Sequence, residues 1–263
     1  MHAPPPKTPL FTVICRFVRL LAWLARTAVR LRRLEHADLE TRQHILQQMG
    51  AECLRILAAE VRTHNAPPPA NGTLLAANHV SWLDIFVLVS LQPCSFIAMR
   101  ELQSWPFIGK MIGNAGAVFI NRSSRKDIDP INTAIAQTLQ QGGNICFFPE
   151  ARTSLGNGVL PLKAALFESA LLARAPVQAI ALRYYDAHGR RSEAVSFADA
   201  SLPVSLWRIL RMPRIVVRAD FAEAIAFAAD RFAVKTQVED FLRRQVLSDS
   251  PAPERVLPGQ GER

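Results

Sequence analysis

The feature that most constrains the fold of this chain is an alternation of short β-like runs with helical stretches that starts after residue 72. Apolar and β-branched runs at residues 73–77, 95–99, 117–121, 144–148, 177–183 and 214–219 read as strands. Residues 81–91, 127–141 and 163–174 lie between them with helical periodicity, and 203–210 and 231–246 read as later helices. Strands that alternate with helices pair largely in parallel and need cover on both faces. The pattern predicts an α/β fold with a mixed, largely parallel central sheet covered by helices.

The segment before this body has a different texture. Residues 1–9 carry four prolines and read as an unstructured lead. Residues 10–33 are apolar but hold Arg16, Arg19, Arg26, Arg30, Arg32 and Arg33. At about 100° per residue, all of these except Arg32 fall in one stripe beside a wide apolar face. Such a helix suits a membrane interface with its arginines at headgroup level. It is a poor spanning helix, because arginine near the bilayer centre costs about 2.5–3.5 kcal/mol. The competing reading is a helix packed on its own domain with a solvated charged edge. A second helix is expected over residues 37–62, with Leu46, Met49, Cys53, Leu57 and Val61 on one side. Three prolines and a glycine in residues 65–72 then stop it. The expected organisation is a two-helix membrane-associated section (1–64), a linker (65–72), an α/β body (73–247) and a loose tail (248–263).

The formal net charge of +9 favours an anionic partner, whether nucleic acid, membrane or small molecule. Aromatic residues do not alternate with the basic ones as a base-stacking platform would require, so no nucleic-acid partner is expected. None of Cys15, Cys53, Cys94 and Cys146 belongs to a C-x-x-C pair, which indicates small core residues in a reducing compartment. The apolar amino-terminal segment is interrupted by arginines and lacks a clear cleavage site, so no signal peptide is expected.

Polar residues follow three of the strands. His79 and Asp84 stand five positions apart just after residues 73–77. A histidine oriented by a carboxylate at a strand's carboxyl end is suited to remove a proton from a hydroxyl. The plainer reading of His79 alone is a structural residue in a turn. Arg122 follows the run 117–121, where a guanidinium can hold a phosphate through two parallel hydrogen bonds, or simply be solvated. Phe148-Pro149-Glu150-Ala151-Arg152-Thr153-Ser154 ends the run 144–148, and Lys163 follows a glycine-containing loop. Glu150 and Arg152 would share a sheet edge with His79 and Arg122, or form an ordinary turn with a surface ion pair. There is no G-x-S-x-G elbow of a serine hydrolase. His79, Asp84 and Glu150 have no recognised metal-ligand spacing, so no metal is expected.

Together these blocks resemble the glycerolipid acyltransferases related to 1-acylglycerol-3-phosphate acyltransferase. N-H-x-x-x-x-D matches Asn78, His79 and Asp84; the glycine-to-arginine strand matches Gly116 to Arg122; F-P-E-G-T-R-S resembles residues 148–154; and a proline-containing strand resembles Pro176 to Leu182. The four blocks occur in the family's order over roughly residues 73–184. The two amino-terminal helices also resemble the membrane-seating helices of some members. The resemblance implies direct acyl transfer from a thioester donor, acyl-CoA or acyl carrier protein, to the free hydroxyl of a lysophospholipid, without an acyl-enzyme and without a cofactor. His79 would be the base and Asp84 its orienting partner. Arg122 would bind the anionic headgroup, Glu150 would order the acceptor site, and Arg100, Arg152 and Lys163 would add to it. The implied acceptor is 1-acylglycerol-3-phosphate, giving phosphatidic acid, at the cytoplasmic face of the cell membrane. Three departures bear on the headgroup: Ala151 replaces a glycine, Arg152-Thr153 reverses the usual threonine–arginine order, and Ala179 replaces a second proline. Enzymes that acylate lyso-ornithine lipid also vary the third block, and residues 159–167 resemble theirs, so lyso-ornithine lipid is the alternative acceptor. A non-catalytic basic membrane-binding protein is the alternative of a different class.

Overall fold

Both faces of the strands at the centre of this protein are buried, and the residue pattern shows why. In β2 (Leu74–Ala77), Leu75 and Ala77 join one apolar cluster while Leu74 and Ala76 join another on the opposite face. All nine residues of β6 (Val177–Tyr185) are buried. Each fully buried leucine, isoleucine or phenylalanine of such a core contributes about 1.5–3 kcal/mol. The structure, a computed structural model, describes residues 8–32, 37–67, 70–99, 104, 113, 117–120, 128–226 and 230–248.

The remaining strands are β1 (Ala59–His64), β3 (Ser95–Met99), β4 (Val118–Ile120), β5 (Ile145–Phe147) and β7 (Ile215–Phe221). They form one seven-stranded sheet in the order β1-β7-β6-β2-β5-β3-β4. Every neighbouring pair is parallel except β6 with β7. The helices are α1 (Leu10–Arg32), α2 (Leu39–Ile56), α3 (Leu83–Leu91), α4 (Ile128–Gln140), α5 (Glu168–Ala173), α6 (Leu202–Leu210) and α7 (Arg231–Leu247). Helices α1, α2, α3 and α6 supply the cluster on one sheet face, and α4, α5 and α7 the cluster on the other. The expected mixed, largely parallel sheet under helical cover is the observed architecture. Cys53, Cys94 and Cys146 are buried free thiols.

The amino-terminal section departs from expectation in one element. The helix expected to run to residue 62 ends at Ile56, and residues 59–64 are a strand in parallel register with β7. Ala58, at φ 54°, breaks the helix. The following residues find the open hydrogen-bonding edge of β7, with Ala59 opposite Ile215 and His64 opposite Asp220. The sheet therefore starts before the proline-rich segment.

The predicted arginine stripe on α1 is also divided. Arg16 turns inward and donates to the carbonyls of Leu210, Met212 and Pro213, at and beyond the carboxyl end of α6. Arg30 pairs with Glu52 of α2 at 2.9 Å. Val13, Leu20, Trp23 and Leu31 of α1 are buried, whereas Phe11 is 77% exposed and Leu10, Ile14, Val18 and Leu21 are exposed with it. Among the described residues no helix is long and apolar enough to cross a membrane.

Candidate active site

Strands β2 and β5 lie side by side, with Ala76 opposite Phe147, so the segments that follow them emerge together at one sheet edge. Asn78 fixes the exit from β2. Its side-chain amide donates to the carbonyl of Leu182 at 3.0 Å and accepts the Leu182 N–H at 2.7 Å, tying the chain to β6. The chain then turns, and Asp84 enters from the first turn of α3. Asp84 is fully buried, and four donors satisfy its charge. Oδ2 accepts from His79 Nδ1 at 2.7 Å and from the N–H groups of Val80 and Ser81 at 2.7 and 2.9 Å. Oδ1 accepts the hydroxyl of Tyr184 at 2.6 Å. A carboxylate taken out of water needs such a set of donors to replace its lost hydration.

The His79 ring lies flat against Phe148, with centroids 3.8 Å apart and planes 9° from parallel. The carboxylate accepts at Nδ1, so Nδ1 carries the proton of the neutral ring and the lone pair lies on Nε2. The side chain of His79 is 19% exposed, enough for a small group to reach it. Nε2 is thus equipped to take a proton from a hydroxyl, while Asp84 stabilises the imidazolium that results. Burial and the neighbouring Asp84 charge push the Tyr184 phenol well above its ordinary range, so it remains a donor.

The segment after β5 holds the backbone of this loop. Glu150 is buried, and its two oxygens accept the N–H of His79 at 2.7 Å and the N–H of Leu160 at 2.8 Å. Burial is the chief cause that pushes its carboxyl up to about 7. Ser154 donates its N–H to the His79 carbonyl at 2.7 Å, and Phe197 donates to the Val80 carbonyl at 2.9 Å. A Cβ added at Gly156, which sits at φ +82°, would lie 3.1 Å from both Val80 methyls. Ala151 adopts φ 61°, the left-handed conformation that glycine favours.

Of the residues singled out from sequence, His79, Asp84 and Glu150 meet directly. Arg152 and Lys163 are exposed on the β5 side of the site, and the Lys163 N–H bonds to the Pro149 carbonyl at 2.9 Å. Arg122 and Arg100 lie outside the described residues. Sequence reasoning missed Tyr184, because it ends the strand at residue 183 whereas β6 runs to Tyr185. A tyrosine hydroxyl inside an otherwise fully buried strand needs a partner, and this was the available signal. Among the described residues no group of three histidine, cysteine or acidic side chains could hold a metal ion.

Residues 58–183 match the family model described as Acyltransferase. The chain is 48% identical to a 1-acyl-sn-glycerol-3-phosphate acyltransferase of Neisseria meningitidis, over 93% of this chain and 97% of the relative. This chain belongs to the acyltransferase family. An acyltransferase of this kind is an enzyme, which sets aside the non-catalytic alternative. A more distant member, the lyso-ornithine lipid O-acyltransferase of Rhizobium meliloti, is 32% identical over 81% of this chain and 77% of its own. The acyltransferase fold is shared with the crystal structure of the 1-acyl-sn-glycerophosphate acyltransferase PlsC from Thermotoga maritima. That match has a TM-score of 0.69 at 19% identity and covers 94% of this chain and 98% of the other.

Proposed function

We propose that this acyltransferase moves a fatty acyl group from a thioester donor, acyl-CoA or acyl carrier protein, to the free hydroxyl of 1-acylglycerol-3-phosphate, forming phosphatidic acid. The observation that carries the reading is the His79–Asp84 pair, with its imidazole partly exposed, in a chain 48% identical to a protein of that name. Nε2 removes the proton of the acceptor hydroxyl as its oxygen attacks the thioester carbonyl. The tetrahedral intermediate collapses, the C–S bond breaks, and the imidazolium returns the proton to the departing thiolate, giving a free thiol. Asp84 holds the ring and its charge, and Tyr184 and two backbone N–H groups hold Asp84. Glu150 positions the His79 backbone. The reaction calls for no metal or other cofactor.

Arg122 binds the acceptor phosphate, with Arg100, Arg152 and Lys163 adding positive charge around it. The outward apolar face of α1 seats the protein at the cytoplasmic face of the cell membrane, where the acceptor resides. The test is an acceptor screen with purified protein and labelled acyl-CoA or acyl carrier protein. His79→Ala is expected to abolish transfer while the protein stays folded by circular dichroism. Undiminished transfer in that variant would overturn the mechanism. The Arg152-Thr153 order and residues 159–167 favour lyso-ornithine lipid as the second reading. Direct competition between the two lysolipids ranks them, and preferential acylation of lyso-ornithine lipid would replace the first reading.

A further inference from the structure

Helices α1 and α2 enclose a cleft of about 390 Å³ whose lining includes Arg19, Ala22, Arg26, Arg30, Glu52 and Arg55. Four arginines and one glutamate thus line a single concavity. Among the described residues only Arg30 has an acidic partner there, Glu52, and that pair leaves three positive charges unmatched. None of the residues placed in the proposed catalytic machinery lines the cleft.

Two observations fix its setting. Around α1, at about 100° per residue, Arg19, Arg26 and Arg30 occupy the flank between the buried arc and the exposed apolar arc of Phe11, Val18 and Leu21. Helix α2 runs against α3: the Gln47 amide donates to the Ser90 carbonyl, and Gly50 packs on Phe86. The carboxyl end of α2, with Glu52 and Arg55, therefore lies toward the first turn of α3, which holds Asp84. One wall of the cleft thus ends near the helix that carries Asp84, and the cleft lies beside the apolar face of α1 proposed to be membrane-seated.

We propose that this cleft binds the phosphate of an anionic membrane lipid, at a site separate from the acceptor site, and so anchors the amino-terminal section in one register on the bilayer. The inference rests on the membrane seating of α1. When the apolar arc lies among the acyl chains, the arginine flank meets the headgroup layer. Guanidinium groups match phosphate oxygens in pairs, and a phosphate held by several of them is chelated rather than loosely attracted. Three unmatched charges favour a phosphomonoester, which carries up to two charges at neutral pH, over a phosphodiester with one.

The experiment is cosedimentation of the full chain with vesicles of pure phosphatidylcholine and with vesicles containing added phosphatidic acid or phosphatidylglycerol. Arg26→Gln/Arg55→Gln should lower binding to phosphatidic acid vesicles by about thirtyfold, roughly fivefold per arginine, and erase the preference over phosphatidylglycerol. Arg32→Gln/Arg208→Gln removes the same charge from exposed positions outside the cleft and should keep that preference. Glu52→Gln should strengthen binding, because it frees Arg30 and removes the opposing charge. All three variants should retain the wild-type transfer rate on detergent-dispersed acceptor. Equal losses for the two arginine pairs would overturn the proposal in favour of diffuse surface charge. Loss of the phosphatidic acid preference on addition of CoA or inorganic phosphate to the cosedimentation would assign the cleft to a soluble phosphate instead. Failure of the wild type to bind any vesicle, with transfer on dispersed acceptor intact, would remove the membrane seating itself while leaving the acyltransferase reading in place.

Discussion

The segments that follow β2 and β5 lie next to each other, and each contributes one buried carboxylate, yet the two carboxylates have different partners. Asp84 accepts the imidazole of His79 together with the Tyr184 hydroxyl and two backbone N–H groups. Among the described residues, Glu150 accepts only backbone N–H groups, those of His79 and Leu160. One carboxylate holds the ring and the other holds the chain that carries the ring. An acid in a site block can thus serve the frame rather than the reaction, and the type of its partner decides which.

The comparison breaks first at Asp84. In Asp84→Asn, the new side chain could keep its carbonyl oxygen toward the three N–H donors and turn its amide toward a Tyr184 hydroxyl rotated to accept. The variant should therefore fold, with little change in melting temperature, while kcat falls by about 10³-fold or more because the imidazolium loses its counter-charge. A loss of only a few-fold would mean that the carboxylate merely shapes the loop, as Glu150 does. Tyr184→Phe is the next largest. It leaves the ring in place and removes one of the four donors to a buried charge, a loss of roughly 1–2 kcal/mol. The expected reading is about a tenfold fall in kcat with KM little changed. An unchanged kcat would show that the three N–H donors suffice.

Glu150 should respond through stability more than rate. Its native carboxyl is pushed up to about 7 from an ordinary 4.5, chiefly by burial. Between these values the native state holds a proton that the unfolded chain releases. The stabilising contribution is complete below about pH 4.5 and is lost as pH rises through about 7. Glu150→Gln cannot titrate, so the difference in urea midpoint between wild type and variant should vary with pH inside this window and level off above it. The slope inside the window is on the order of 1 kcal/mol per pH unit. A pH-independent difference would show that both oxygens stay ionised on their N–H donors.

The sheet and its cover were legible because strands buried on both faces are continuous apolar runs and the helices between them are amphipathic. His79, Asp84 and Glu150 were legible as types at strand ends. What escaped depended on partners distant in sequence. Strand β1 exists because the edge of β7 is open, and residues 59–64 carry no pattern that separates them from a helix end. Arg16 lies in a stripe that looks solvent-facing in sequence. It turns inward because the carbonyls of Leu210, Met212 and Pro213 come within its reach once α6 has packed on α1. Tyr184 became visible as a partner of Asp84 only through a contact between residues 100 positions apart.

The smallest expected effect concerns the frame alone. Ala151 follows Glu150 at φ 61°, so the backbone keeps a left-handed shape while carrying a side chain that disfavours it. A non-glycine residue in this region costs roughly 1–2 kcal/mol. Glycine would relieve that strain but give back about 0.4–1 kcal/mol, because its unfolded state has more conformations to lose. The balance for Ala151→Gly is stabilisation by about 0.5–1 kcal/mol, which a chain of this size reads as roughly 1–4 °C in melting temperature. The Ala151 N–H still reaches the Phe148 carbonyl in the variant, and the Glu150 bonds to His79 and Leu160 need no adjustment. Transfer should therefore proceed at the wild-type rate. A variant that melts higher and loses activity would show that strain at residue 151 contributes to placing His79, and the division between a reacting loop and a supporting one would then have to be redrawn.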